Sequence, residues 1–375
     1  MSRVFIIAGE VSGDTHAAGL MRELKSLDAT VTFNGLGGPQ MREVGCNGVE
    51  DWLGEAAVLG LWEVLKHYGY FKRKFDETLA AIAEQKPDAL ILVDYPGFNL
   101  RIAKALRERQ FTGRIIYYIS PQVWAWKKGR IKTMAKVLDL MICIFPFEKQ
   151  LYEASGLRTE FPGHPMVDRT LALRKNWTRE EKLVGWFPGS RANEVRRLFP
   201  VMLDAARAIR FAVPDARFAV AAANEVLAAE MREMADQRGM PEAKQWIETS
   251  TVYDLMQRAQ VGAVASGTAT LEAACFGLPY VLVYQVNWLT YAAAKMVVRI
   301  KKLGIVNILA GRDVVRELIQ HELTAESLAR EMTELLLNPG RRKELADDLA
   351  GVVSTLGEGG SYARAARIVL ECLHA

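Results

Sequence analysis

A chain of 375 residues, half of them apolar and a quarter charged, has the composition of an ordinary soluble globular protein. Its length exceeds what a single core usually reaches, so two domains are expected. The formal net charge of +4 is too small to argue for nucleic acid, and no apolar run of about 18 residues argues for a membrane span.

The N-terminal apolar run, in MSRVFIIAGE, is too short for a secretion signal and reads at once as a strand, Val4–Ala8. Further strands are expected at Thr30–Asn34, Ala89–Val93, Arg114–Ile119, Leu140–Ile144 and near Thr159–Phe161. Most are too apolar for half-exposed strands and suit a sheet covered on both faces. Ala17, Leu20, Met21 and Leu24 make the apolar stripe of a crossover helix. The pattern lapses over Val167–Glu181, the best linker candidate. It restarts with Leu183–Phe187, Arg217–Ala221, Ala243–Ile247, Val261–Ala265 and Tyr280–Tyr284. The fold class is therefore α/β, two doubly wound halves with ligands at the carboxyl ends of the strands. Residues 1–170 form the first domain, 171–345 the second, and 346–375 a helical tail packing across the domains or onto a partner protomer. Cys46, Cys143, Cys275 and Cys372 lack metal or disulfide spacing and read as buried free thiols, compatible with a reducing cytoplasm.

The strand ends carry the candidate chemistry. Gly9–Asp14 opens a helix but is not GxGxxG; it is a ligand loop or a simple strand-to-helix turn, with Ser12 and Asp14 as candidate caps. His16 follows early in that helix, at a surface or a catalytic position. Asp94 ends an apolar strand where it could accept a proton from an attacking hydroxyl, or could cap the Tyr-Pro-Gly turn. Trp124 and Trp126 beside Lys127, Lys128 and Arg130 could line a sugar site, touch lipid headgroups or pack at a rim. His164 stands alone between rigidifying residues, and no His/Asp/Glu cluster has metal-ligand spacing, so no essential metal or cofactor is expected.

The most informative stretches are Leu183–Pro200 and Val261–Glu272. Each is a strand, a small-residue turn and a helix start, delivering Ser190-Arg191 and Ser266-Gly267-Thr268 respectively. Two helix N-termini offer unsatisfied N–H groups and positive dipole ends, and Arg191 adds a fork of donors, which suits a nucleotide diphosphate. Glu272, one turn on, could accept from the two hydroxyls of a ribose. The bland alternative is ordinary helix caps and a solvated glutamate. Neither loop resembles GxxxxGK[ST], which argues against an ATPase. Trp52–Lys74 and Trp288–Lys302 pair basic residues with aromatics and aliphatics, as an interfacial helix does. Core helices with a charged outer face look the same, and on pattern alone that reading is preferred.

The chain resembles the lipid-A-disaccharide synthase family from its first residues to its last. The motifs are AGEVSGD (Ala8–Asp14), GLGGPQM (Gly35–Met41), VDYPGFN (Val93–Asn99), YISPQVWAW (Tyr118–Trp126), FPFEK (Phe145–Lys149), FPGHPMVD (Phe161–Asp168), FPGSRANEV (Phe187–Val195), ASGTATLE (Ala265–Glu272) and NILAGRDVVRELIQ (Asn307–Gln320). The resemblance implies an inverting glycosyltransferase of the GT-B fold, two facing Rossmann-like domains. It would join UDP-2,3-diacylglucosamine to 2,3-diacylglucosamine 1-phosphate, giving the β(1→6) disaccharide 1-phosphate and UDP. It further implies Asp94 as general base, Arg191 as the arginine near the diphosphate, and Glu10 as an acidic residue important for activity. Ser190, Ser266, Gly267, Thr268 and Glu272 fall on the nucleotide side, and Asn307 matches a cleft asparagine. Some members carry a second Asp where this chain has Gly97, which leaves Asp94 as the base. The family acts as peripheral proteins of the inner membrane's cytoplasmic, anionic face. That reverses the preference for Trp52–Lys74 and assigns Leu61, Trp62, Leu65, Lys66, Lys72 and Arg73 to the lipid or acyl chains. A homodimer by C-terminal exchange is within what the resemblance allows. The rivals are a UDP-N-acetylglucosamine 2-epimerase-like enzyme and a non-enzymatic nucleotide-sugar sensor at the membrane.

Overall fold

A computed structural model of the chain describes residues 2–56, 68–123, 129–249, 252–288, 291 and 302–374. It divides into two compact units, Met1–Pro165 with Leu356–Ala375, and Met166–Thr355.

In the first unit seven strands form one parallel sheet: β1 (Arg3–Ala8), β2 (Thr32–Gly37), β3 (Val49–Asp51), β4 (Ala89–Val93), β5 (Arg114–Tyr118), β6 (Leu140–Ile142) and β7 (Thr159–Glu160). Their order is β3-β2-β1-β4-β5-β6-β7. Besides the one-turn helix Leu53–Ala56, the helices among the described residues before Pro165 are α1 (Val11–Leu27), α2 (Pro39–Gly45), α3 (Tyr68–Gln85), α4 (Pro96–Glu108), α5 (Gly129–Val137) and α6 (Pro146–Glu153). Because successive strand residues point to opposite faces, the apolar runs feed two cores. Phe5, Ile7, Leu90, Leu92, Ile115 and Tyr117 pack with Leu79, Ile102 and Met134 of the helices on one side. Val4, Ile6, Ile91, Val93 and Ile116 pack with Leu20, Met21 and Leu24 on the other.

Asp14 is not the cap of its own helix. It lies inside α1, buried, and its carboxylate accepts from the backbone N–H groups of Gly38 (2.9 Å), Gln40 (3.0 Å) and Met41 (2.9 Å). An anion there satisfies the open first turn of α2 and opposes its dipole. The motifs AGEVSGD and GLGGPQM are thus two halves of one contact. Ser12 makes no cap either, since the N-cap position of α1 is Glu10, without a side-chain bond.

The second unit holds β8 (Glu180–Phe187), β9 (Arg217–Ala221), β10 (Ile247–Glu248), β11 (Ala259–Ala265), β12 (Tyr280–Tyr284) and β13 (Glu317–Ile319), ordered β10-β9-β8-β11-β12-β13 and all parallel. This is the third-second-first-fourth-fifth-sixth order of a Rossmann sheet. Its helices are α7 (Pro165–Leu173), α8 (Ala192–Ala212), α9 (Glu225–Gln237), α10 (Val252–Arg258), α11 (Thr268–Cys275), α12 (Ile305–Ala310), α13 (Ala325–Leu337) and α14 (Pro339–Ser354). The expected strand Ala243–Ile247 is instead a 3-10 helix, Pro241–Trp246, followed by the two-residue β10. Pro241 opens that helix, a position where its missing N–H costs nothing. The first half of the expected linker is α7.

After α14 the chain returns to the first unit. There α15 (Ser361–His374) lays Ala365, Ala366, Val369 and Cys372 into the core beside α1. Arg364 fastens the return by donating to the carbonyls of Pro162 (2.6 Å), Glu358 (2.7 Å) and Gly359 (2.8 Å). All four cysteines are free; three are buried as expected, but Cys46, at the end of α2 with φ 56°, is exposed.

Candidate active site

In the first unit the strand order reverses between β1 and β4, where crossovers leave toward opposite edges and open a crevice at the carboxyl ends. The register pairs Ala8 with Val93, so Gly9-Glu10 emerges beside Asp94-Tyr95. Gly9 is required by this proximity, since a Cβ there would fall 2.4 Å from the Tyr95 ring. Asp94 and Tyr95 both have left-handed backbones, φ 46° and 48°. Each such residue costs about 1–3 kcal/mol and persists only where its surroundings over-determine it. Here they do. The Asp94 N–H donates to Tyr118 O (3.0 Å), and its carbonyl accepts from the Asn99 amide (2.7 Å) and from the Tyr117 hydroxyl. Burial, and next the negative charge of Glu10, push the Asp94 carboxyl up to about 6. A carboxylate so tuned is a competent base near neutral pH.

The neighbouring strand end is strained as well. Ile119, just past β5, has φ 64°, an outlying value for a β-branched residue. The next residue, Ser120, donates to the fully buried Glu148 (2.6 Å), which also accepts from the Phe145 N–H (3.1 Å). Tyr152 donates to Pro121 O (3.0 Å). Trp124, Trp126, Lys127 and Lys128 lie outside the described residues. His164 is buried against Phe145, and burial with the charge of His16 holds its imidazole down to about 3, hence neutral. His16 itself lies 2.9 Å from the Tyr362 hydroxyl. Gly97 is exposed, and a Cβ there would meet nothing within 4 Å.

In the second unit the reversal falls between β8 and β11, with Phe187 paired to Val264. The turns after these two strands are therefore adjacent. Arg191 is the N-cap residue of α8 and Gly267 that of α11, and neither helix has a side-chain cap. The Glu194 and Thr270 N–H groups donate back to the carbonyls of Arg191 (2.9 Å) and Gly267 (3.2 Å), which leaves those of Ala192, Asn193, Thr268 and Ala269 for a ligand. Gly267 has φ 150° with open space around it, so the backbone can approach a ligand closely. Ser190, Gly267 and Thr268 are exposed and Ser266 partly so. Arg191 is 83% exposed and held by Glu194 at 3.1 Å, one turn along. The structure thus brings Ser190, Arg191, Ser266, Gly267 and Thr268 together past the carboxyl ends of two adjacent central strands.

Glu272 lies on α11, nine-tenths buried, and accepts from the Tyr253 hydroxyl at 3.0 Å. Burial raises its carboxyl, while Tyr253 and then Arg169 counteract the shift. Asn307 differs from expectation. It is fully buried, its amide donating to Val315 O and Glu317 Oε1 (both 2.8 Å) and its carbonyl accepting from the Val314 (2.8 Å) and Val315 (2.9 Å) N–H groups. Its hydrogen-bonding capacity is spent inside the protein. Asn307 braces Val314–Glu317 from within and offers no group to a nucleotide sugar.

Leu61, Trp62, Leu65 and Lys66 lie outside the described residues, as do Lys295 and Arg299. Lys72 and Arg73 are exposed at the start of α3. The two ends of the Trp52–Lys74 segment, in contrast, belong to the core. Trp52 is 1% exposed and donates to Ala8 O (2.6 Å), and Lys74 is buried on Glu50 (2.6 Å). Among the described residues no helix is long and apolar enough to cross a membrane. Sequence reading missed Tyr117, Asn99, Glu148, Arg169 and Tyr253. Asn99 and Glu148 at least lie in recognised motifs, whereas only tertiary contact reveals the others.

The model of the lipid-A-disaccharide synthetase family matches residues 4–371. The lipid-A-disaccharide synthases of Geobacter sulfurreducens and Geobacter metallireducens are each 41% identical over 382 residues, covering 99% of this chain and 97% of theirs. Among solved structures, Acinetobacter baumannii MurG aligns with TM-score 0.59 at 12% identity, covering 99% of this chain and 100% of that one. The UDP-GlcNAc 2-epimerase from Neisseria meningitidis bound to UDP-GlcNAc aligns with TM-score 0.58 at 11% identity, covering 99% and 98%. At such identities these structures establish the fold alone.

Proposed function

The chain belongs to the lipid-A-disaccharide synthase family, and from that premise we propose how its residues divide the reaction. It is a UDP-sugar-dependent glycosyltransferase of the GT-B fold that transfers a diacylglucosamine moiety to form a β(1→6)-linked disaccharide. The donor is UDP-2,3-diacylglucosamine and the acceptor 2,3-diacylglucosamine 1-phosphate. Asp94 takes the proton of the acceptor's 6-hydroxyl as that oxygen bonds to the donor's anomeric carbon. The bond from that carbon to the diphosphate breaks, its electron pair leaves with UDP, and a single displacement turns the α linkage into β. Glu10 keeps Asp94 basic by its charge. Arg191 and the open N–H groups at the starts of α8 and α11, with Ser190, Ser266, Gly267 and Thr268, hold the diphosphate as its charge grows. Glu272 receives the ribose hydroxyls.

The observation that carries this reading is Asp94: a carboxyl raised to about 6, on a left-handed backbone pinned by Asn99 and Tyr117, at a switch point. The protein works at the anionic cytoplasmic face of the inner membrane, with Leu61, Trp62 and Leu65 among acyl chains and Lys66, Lys72 and Arg73 facing headgroups. The test is turnover by the purified protein with both diacyl substrates, with product analysis. A lipid disaccharide plus UDP is expected. An epimerised nucleotide sugar, or UDP binding without turnover, overturns the assignment.

A further inference from the structure

Tyr253 has no part in the reading above, yet its environment is specific. Its hydroxyl donates to Glu272 Oε1 at 3.0 Å. The Arg169 guanidinium lies 5.1 Å over its ring and reaches the same carboxylate oxygen at 3.9 Å, while Phe276 packs on the ring at 5.8 Å. Among the described residues no hydrogen bond reaches Glu272 Oε2. A carboxylate that is nine-tenths buried, fixed through one oxygen and uncommitted at the other, has the form of a pre-set acceptor.

We propose that Tyr253, through its hydroxyl bond, is the positioning residue that orients Glu272 toward the ribose hydroxyls of the nucleotide, so that preference for a ribose depends on this tyrosine hydroxyl. The inference rests on the assignment of Glu272 to the ribose. The groups bearing on Glu272 are Tyr253 from α10, Arg169 from α7 and Cys275 on its own helix, whose thiol is pushed up to about 11 and stays neutral. Burial raises the Glu272 carboxyl and the Tyr253 hydroxyl holds it back, so loss of the hydroxyl raises it further. Only the ionised form accepts from both ribose hydroxyls, so that loss is felt most at low pH and is relieved by alkali.

The test uses calorimetry on the full chain with UDP and 2′-deoxy-UDP at two pH values. The unaltered protein should prefer UDP by about tenfold or more, as a hydrogen bond to a charged group gives. Tyr253→Phe keeps the ring against Arg169 and Phe276. It should cut the preference to about threefold or less at pH ~6, with partial recovery at pH ~8.5. Arg169→Gln, which leaves the hydroxyl bond in place, should stay within about twofold of the original preference. Full preference in Tyr253→Phe, or an equal, pH-independent loss for both ligands, overturns the proposal. A loss in Arg169→Gln as large as that in Tyr253→Phe also overturns it, by giving the role to the guanidinium. Glu272→Ala, which removes the acceptor altogether, separates the layers: if it keeps the preference, Glu272 is not at the ribose and the underlying assignment fails instead.

Discussion

Replacing Asp94 by Asn should make the protein more stable and nearly inactive, and both effects follow from one number. The carboxyl sits at about 6 in the folded chain against an ordinary 3.8. Since each pK unit is worth about 1.4 kcal/mol, ionising it in place costs about 3 kcal/mol more than ionising it in the unfolded chain. Because the folded value is raised, the protonated carboxyl is the form the fold favours. Little penalty exists below pH 3.8; it develops between that value and about 6 and is essentially complete above that. Asn never pays it and tolerates the left-handed backbone at least as well. Asp94→Asn should therefore melt close to the parent near pH 4, progressively higher up to about pH 6, and by a nearly constant margin from pH 7 to 8. Above pH 6, where the parent is active, transfer should fall by ~10²–10⁴-fold while UDP still binds, since the amide keeps the shape and lacks the basicity. In the parent, kcat/KM should rise tenfold per pH unit and level off above about 6. Thermal melts and initial rates across that range check both halves. Near-normal turnover in the variant, or a melting difference that ignores pH, refutes the reasoning.

Glu10→Gln should move that acidic limb downward but not back to the usual carboxylate range, because burial and not Glu10 is the main cause of the shift; an unmoved limb separates the two residues. Arg191→Ala should weaken UDP binding and transfer together by roughly 10²-fold, the worth of a charge-assisted contact, with Lys restoring only part for want of the planar fork. Asp14→Ala leaves three backbone N–H groups without their acceptor and should cost about 3 kcal/mol or more of stability, Asp14→Asn less because one oxygen still serves Gly38 and Met41. Both are read from the melting of the purified chain. Leu61, Trp62 and Leu65 together changed to Ser should reduce sedimentation with anionic vesicles and activity on long-chain substrates while sparing short-acyl analogues. Added salt should weaken vesicle binding of the parent, at about 1 kcal/mol per basic residue.

Strands buried on both faces announce themselves by continuous apolar runs, so Ala89–Val93, Arg217–Ala221 and Tyr280–Tyr284 could be placed from sequence to the residue. Two of the edge strands could not. Val49–Asp51 and Glu317–Ile319 are three residues long and half polar, below any periodicity. At the site, residue type and position at a strand end singled out Asp94 and Arg191 as candidates, and the family resemblance supplied their proposed roles. What escaped was the second layer. Asp14 looked like the cap of the helix it begins, because local sequence offers α1 and not α2, 24 residues away. Asn307 sits in a recognised motif, but only its four bonds to 314–317 show that it faces inward. Lys74 reads as one more cation in a basic run until Glu50 is seen against it.

The return of Leu356–Ala375 to the first unit has a consequence for how the protein is made. The face of the sheet that α1 shares with α15 lacks Ala365, Ala366, Val369 and Cys372 until Met166–Thr355 has left the ribosome. At about 5–20 residues per second that interval is roughly 10–40 s. Throughout it the first unit, though its own strands are complete, presents an unfilled apolar groove beside Leu20, Met21 and Leu24, while the intervening unit has all its strands in hand and can fold. Synthesis order and folding order are therefore inverted: the half that begins the chain matures last, and the nascent protein is most exposed to aggregation or chaperone capture along that groove.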